Sequence, residues 1–276
     1  MTAEEWNNKG IELGTAGKYQ EALEACDKAI EIDPKYVEAW SNKGLALALL
    51  GRYQEALEAN DKAIKIDPEF AEAWNGKGIA LGGLGRYYEA IVAFNKATKI
   101  NPELATAWSN KGAALGNLGR YHEELEAYDK AVKIDPEFAG AWYCKGIALY
   151  NLGRYQEALE AYDKAIKLNP KYAEAWYNKG VALSDLRRYQ EALEAYDKAI
   201  KIDPQHAKAW NNKSVALLNL GRYQEALEAC GKAIKLNPNF AAAWYNKGLA
   251  LGKLGRDEEA REALAKAAEL GLGELL

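Results

Sequence analysis

Apolar positions along this chain follow a helical period in two alternating registers, and the pair of registers recurs every 34 residues. In residues 173–206, Trp176, Gly180 and Leu183 form one stripe, and Ala175, Lys179, Ala182 and Leu186 form a second beside it. That spacing predicts a first helix from Ala173 to Leu186. The pattern breaks at Arg187-Arg188, where most other units carry Gly-Arg, as at Gly51-Arg52 and Gly153-Arg154. Glycine there suits a tight turn between helices. A second helix is predicted from Tyr189 to Ile202, with Ala192, Leu193, Tyr196, Ala199 and Ile200 on its apolar side. Asp203-Pro204 ends it, because proline disfavours helix at the preceding residue. Gly180, Ala192 and Ala199 are small where two helices must approach closely. The predicted unit is a helix hairpin.

All eight tryptophans (Trp6, Trp40, Trp74, Trp108, Trp142, Trp176, Trp210, Trp244) and all seven prolines (Pro34, Pro68, Pro102, Pro136, Pro170, Pro204, Pro238) keep the same beat. Phased from Ala3, the units are 3–36, 37–70, 71–104, 105–138, 139–172, 173–206, 207–240 and 241–274. A period of this length signals stacked repeats, which overrides the one or two globular domains expected from 276 residues. The expected domain organisation is one array over 3–274, with 275–276 a short tail.

The spacing Trp176, Gly180, Tyr189, Ala192, Tyr196, Ala199, Pro204 resembles the tetratricopeptide repeat motif, in eight copies covering nearly the whole chain. The resemblance implies an all-α fold, a right-handed superhelical α-solenoid of eight helix-turn-helix repeats. Each tryptophan is expected to bury about 150–250 Å², an upper bound of roughly 4–6 kcal/mol at about 25 cal/mol/Å². The face of repeat one that no unit precedes is polar (Glu5, Glu12), and repeat eight carries Arg261, Ala268 and Asp257 where others are more apolar. Both ends therefore look capped, which predicts a self-standing array. Glu124, Asn60, Arg187 and Ser214 depart from the common residue, and such scatter points to drift rather than idealised design.

A net charge of −4 with interleaved signs lacks the basic footprint of a nucleic-acid binder. No apolar run is long enough for a leader or a membrane span. Cys26, Cys144 and Cys230 lie in repeats one, five and seven, too far apart in a linear stack for a disulfide. A reducing, cytoplasmic setting is expected. Cys26 and Cys230 read as small core residues, whereas Cys144 reads as solvent-facing. His122 and His206 lie in different repeats without partner ligands, and the glycine clusters follow helices rather than strands. No enzyme, metal site or cofactor is expected.

The family resemblance implies that first helices line a concave face at repeat positions 2, 5, 6, 9, 12 and 13. Position 6 reads Asn8, Asn42, Gly76, Asn110, Cys144, Asn178, Asn212, Asn246, an amide ladder not needed for packing if that face is open. A carboxamide pairs with both polar groups of a peptide unit, and similar ladders in the family hold extended peptides by their backbone. With first helices roughly 10 Å apart and an extended peptide advancing about 3.3 Å per residue, one rung serves about three residues. Asn117, Tyr143, Tyr150, Asn151, Tyr177, Asn219 and Tyr245 add aromatic and amide surface, a trait of binding faces. The family's carboxylate clamp of Lys, Asn and Arg is absent, since position 5 has no Lys and position 9 is aliphatic. Position 7 is Lys in every unit and is read as a packed stem whose ammonium reaches an acid of a second helix, contributing at most about 1 kcal/mol. The expected function is an interaction scaffold for an extended protein or peptide segment. The alternatives are end-to-end self-association, motivated by the apolar tail Leu272, Leu275 and Leu276, and an engineered array without a natural ligand.

Overall fold

The computed structural model describes residues 1–271, and the regular structure in them is sixteen α-helices. In chain order these are α1 (Ala3–Thr15), α2 (Tyr19–Ile32), α3 (Val37–Leu49), α4 (Tyr53–Ile66), α5 (Ala71–Gly83), α6 (Tyr87–Ile100), α7 (Ala105–Asn117) and α8 (Tyr121–Ile134). There follow α9 (Ala139–Asn151), α10 (Tyr155–Leu168), α11 (Ala173–Asp185), α12 (Tyr189–Ile202), α13 (Ala207–Asn219), α14 (Tyr223–Leu236), α15 (Ala241–Lys253) and α16 (Asp257–Glu269). Each repeat is the hairpin that the hydrophobic pattern predicts. The helices group into two compact units, Met1–Cys144 and the residues from Lys145 onward.

Local chemistry sets each turn. Seven hairpins turn on a glycine with φ between 71° and 75°, from Gly17 to Gly255, the left-handed conformation that side chains resist. In the eighth, Arg187 takes φ 58° instead. The following residue is Arg in seven repeats, and its guanidinium clasps the Glu three residues on, as in Arg52 Nε–Glu55 Oε1 at 2.7 Å and Nη2–Oε2 at 2.6 Å. Between repeats, the Asp or Asn before proline accepts the backbone N–H two residues later, as Asp67 Oδ1 does from Glu69 at 2.9 Å. Glu5, read in sequence as part of a polar end face, also closes a capping box with Thr2.

The tryptophan and proline beats turn out to be one device. The indole N–H of Trp40 donates to the carbonyl of Pro34 at 3.0 Å, and Trp74 to Pro68 at 2.9 Å. The same bond recurs at every later tryptophan through Trp244 and Pro238. All eight tryptophans are only half-buried, so the full burial expected from sequence is corrected. The ring lies at the joint between repeats because its N–H must reach the interhelical loop.

The core itself is small-residue packing. Ala56, Ala63, Ala158, Ala165, Ala192 and Ala199 are fully buried. In repeat six the Tyr196 ring lies on Gly180, where a Cβ would fall 2.5 Å from it, and Tyr162 lies on Gly146 in the same way. The sequence irregularities are compensated locally. Ser214 replaces that glycine only where the tyrosine is replaced by Cys230, and its hydroxyl donates to the Asn211 carbonyl at 2.6 Å. Asn60, fully buried in the aromatic slot, presses on Gly44 and Gly76, so the missing ladder residue at 76 makes room for it. Glu124 is buried against Gly116 with Oε2 unpartnered, and burial pushes its carboxyl up to about 7.

Candidate functional site

Within the first unit α1, α3, α5 and α7 pack successively on one another, and within the second α11, α13 and α15 do the same. Within each unit, second helices pack on the first helix of the next repeat, as α4 does on α5 and α12 on α13. First helices therefore form a continuous row in each unit, and that row carries the sequence-predicted residues. Asn8, Asn42, Asn110 and Asn117 lie on the row of the first unit. Tyr150, Asn151, Tyr177, Asn178, Asn212, Asn219, Tyr245 and Asn246 lie on that of the second, and Tyr143 precedes the boundary on α9.

The asparagines are not idle on this face. Asn42 Nδ2 donates to Asn7 Oδ1 at 2.9 Å, Asn110 to Asn75 at 3.1 Å, and Asn246 to Asn211 at 3.0 Å. Asn212 Nδ2 donates to the Tyr177 hydroxyl at 3.2 Å. Each bond joins position 6 of one repeat to position 5 of the repeat before it. The premise that the ladder plays no part in packing is corrected: these amides stitch neighbouring first helices. A primary amide has two donors and one acceptor oxygen, so in Asn42, Asn110 and Asn246 the stitch uses one N–H and leaves the other N–H and the oxygen for a ligand, whereas Asn212 also accepts from Asn211 and bonds Tyr196. Asn8 is exposed, Asn42, Asn110, Asn178 and Asn212 half-buried, and Asn246 buried.

The remaining site residues divide by partner. Asn117 and Asn219 are exposed and turn their amides back onto the Ala113 and Val215 carbonyls of their own helices, at 2.9 and 2.8 Å. Asn151 is exposed, and Tyr143 and Tyr245 are half-buried. The Tyr150 hydroxyl donates to Asp185 Oδ2 at 2.5 Å and its ring tilts against Tyr155, so burial first and Asp185 second hold that phenol protonated. Tyr177 stacks on His206 with ring centroids 4.6 Å apart. His206 caps α13 by accepting the Ala209 N–H at Nδ1, 3.3 Å away, and Nε2 lies 3.5 Å from Glu174. Asp185 and His206 were missed as members of this face, because their roles depend on the neighbouring repeat.

Cys144 is half-buried and hydrogen-bonded to Tyr128, and burial raises its thiol pKa. The solvent-facing reading is corrected, since the activation a reactive thiol requires is opposite in direction. Burial pushes Cys26 and Cys230 up to about 11, as suits packed thiols. The lysine column sits as its packing stripe predicts. Lys43 reaches Asp27 and Lys179 reaches Asp163, both at 2.6 Å, while each ammonium also lies about 5.5 Å from its own repeat's tryptophan ring. The position equivalent to these aspartates is Asn95 for Lys111 and Gly231 for Lys247, and burial lowers the Lys111 pKa. Among the described residues there is no group of three or more His, Cys, Asp or Glu placed to hold a metal, and no helix long and apolar enough to cross a membrane. Leu272, Leu275 and Leu276 lie outside the described residues.

Comparison with known proteins agrees with this architecture. A tetratricopeptide repeat model matches residues 7–71, 143–207, 184–239 and 211–273, and two related models match 71–104 and 117–153. No curated protein sequence matches the chain. YrrB, described as a TPR protein with an unusual peptide-binding site, is 27% identical over 69% of this chain and 98% of its own, with a TM-score of 0.61. MamA from Desulfovibrio magneticus RS-1 (residues 41 to the end) is 27% identical over 60% of this chain and 94% of its own, with a TM-score of 0.57. PilF of Pseudomonas aeruginosa, 20% identical, shares the fold over 75% of this chain and 94% of its own at a TM-score of 0.68. With that family's model covering more than half of its length and its hairpins stacked in the manner described, this chain belongs to the tetratricopeptide repeat family.

Proposed function

We propose that this protein is an interaction scaffold whose first-helix rows bind an extended peptide or protein segment. The observation that carries the reading is the composition of those rows. Exposed Ile11, Leu45, Leu49 and Leu249 alternate with amides that retain unspent hydrogen-bonding atoms. An extended backbone needs that combination, apolar seats for side chains and paired donor and acceptor groups for its peptide units. The similarity to YrrB, at 27% identity, supports the same reading. Asn8, Asn42, Asn110, Asn178, Asn212 and Asn246 would contact the ligand backbone. Tyr143, Tyr150, Tyr177 and Tyr245, with Asn117, Asn151 and Asn219, would contact its side chains.

The test is a displayed library of random extended peptides selected on the whole chain, followed by titration into Asn178→Ala and Asn42→Ala proteins whose circular dichroism is unchanged. Affinity should fall several-fold in at least one variant. Unchanged affinity in both, or failure of any peptide to enrich, refutes the proposal.

A further inference from the structure

Repeat one lacks the ring that fills the aromatic slot in repeats three to six. In repeats four, five and six the slot holds Tyr128, Tyr162 and Tyr196, each nearly inaccessible and lying on a helix glycine. In repeat one the same slot holds Cys26, whose sulfur lies on Gly10. Position 12 of the first helix, which is Tyr150 in repeat five and Leu218 in repeat seven, is Gly14 here. Small residues at both places leave a hole. A cavity of about 210 Å³ opens there, floored by Gly10, Gly14 and Cys26 and walled by Ile11, Leu45 and Leu49. Those three aliphatic side chains are nearly half exposed, so the hole opens onto the first-helix row rather than being sealed in the core. Asn42, with its unspent amide atoms, stands on the rim. A related cavity between repeats three and four has Phe94 already in the aromatic slot as one of its walls. Of these two cavities, the one between repeats one and two has no ring in its slot.

We infer that the cavity between α1 and α3 is an anchor site for a single aromatic side chain of the bound segment. The inference rests on the peptide-binding reading and adds the chemistry of one ligand residue. The protein itself shows what the space takes, since repeats four to six place a tyrosyl ring in the slot that Cys26 leaves open. An apolar cavity of about 150 Å³ is enough to take up benzene, and this one is larger. The lining is aliphatic apart from the Tyr19 ring, Thr15 and the rim Asn42, and it holds no charged side chain, so it favours a ring over an ionic group. Asn42 is then placed to hold the peptide unit of the anchored residue, fixing the backbone where the ring is seated.

The test uses the full chain and toluene, the phenylalanine side chain as a free molecule, followed by methyl NMR. Saturable shifts are expected at Ile11, Leu45 and Leu49. They should disappear in Cys26→Tyr, which installs the residue of repeats four to six. They should also disappear in Gly14→Leu, which installs that of repeat seven, so that one variant serves if the other misfolds. No saturable shift in the wild-type chain, or equal shifts in a folded variant, overturns the proposal. A peptide selected on the wild-type chain is then titrated into the folded variant. A loss of affinity of tenfold or more is expected. Unchanged affinity with toluene still seated in the wild type overturns the anchor role while leaving the peptide-binding reading intact. Failure to select any peptide refutes that reading separately, and with it the anchor's role, whatever toluene does.

Discussion

Glu124 makes the stability of the first unit depend on pH in a direction opposite to that of the glutamates clasped by arginine. The other seven repeats carry Ala at its position, and that alanine packs against the first helix of its own hairpin. Glu124 is 5% exposed, lies against Gly116, and has an oxygen without a partner, so burial raises its carboxyl from 4.5 to about 7. Below the unfolded value both states are protonated and the folded state loses nothing. As pH rises through the interval the unfolded chain ionises first, and stability falls until the folded carboxyl has ionised too. At about 1.36 kcal/mol per unit, the loss between about pH 5 and pH 8 is roughly 2–3 kcal/mol. The surface glutamates clasped by arginine, such as Glu55 and Glu123, are shifted downward and give the opposite trend, so the variant must be compared with the parent at each pH. Glu124→Ala should leave stability nearly unchanged at the acid end and raise it by about 2–3 kcal/mol at the alkaline end. Urea unfolding followed by far-ultraviolet circular dichroism reads the difference. Parallel pH dependences for parent and variant would refute the reasoning.

Other positions give sharp expectations. Arg187→Gly should stabilise by about 0.5–1 kcal/mol, the relief of a left-handed side-chain residue less the added chain entropy of glycine, and a lowered melting temperature would contradict it. Cys230→Tyr should destabilise by about 1–3 kcal/mol because Ser214 occupies the place of the glycine on which that ring lies elsewhere. Combining it with Ser214→Gly should recover more than 1 kcal/mol beyond additivity, and strict additivity in a double-mutant cycle would sink the coupling. Trp74→Phe should cost about 1 kcal/mol through the lost bond to the Pro68 carbonyl, with the loss absent if that bond contributes nothing.

Much of the fold was legible because 34-residue periodicity averages over eight copies. The predicted second helix, Tyr189 to Ile202, has the observed bounds of α12, and Lys43, Lys77, Lys179 and Lys213 pair with second-helix aspartates as their packing stripe implied. What periodicity hides is pairing between non-equivalent positions. Ser214 with Cys230 inside one hairpin, and Asn60 with Gly76 between neighbouring repeats, are such pairs, and the linear pattern gives neither. The asparagine ladder was visible as a column, but its bonds to position 5 of the preceding repeat were not. They depend on how far one first helix is offset against the next. Asp185 escaped notice for the same reason, since its partner Tyr150 belongs to the repeat before.

The central claim is that binding happens on the first-helix rows, and the side-chain amide resonances of the asparagines report on it directly. Adding a selected peptide to labelled protein should move the Nδ2 signals of Asn42, Asn110, Asn212 and Asn246. Those of the interhelical-loop residues Asn101, Asn169 and Asn237 should stay still. Shifts confined to the loops or to the exposed second-helix residues Tyr88 and Val92, with the ladder unmoved, would contradict the account.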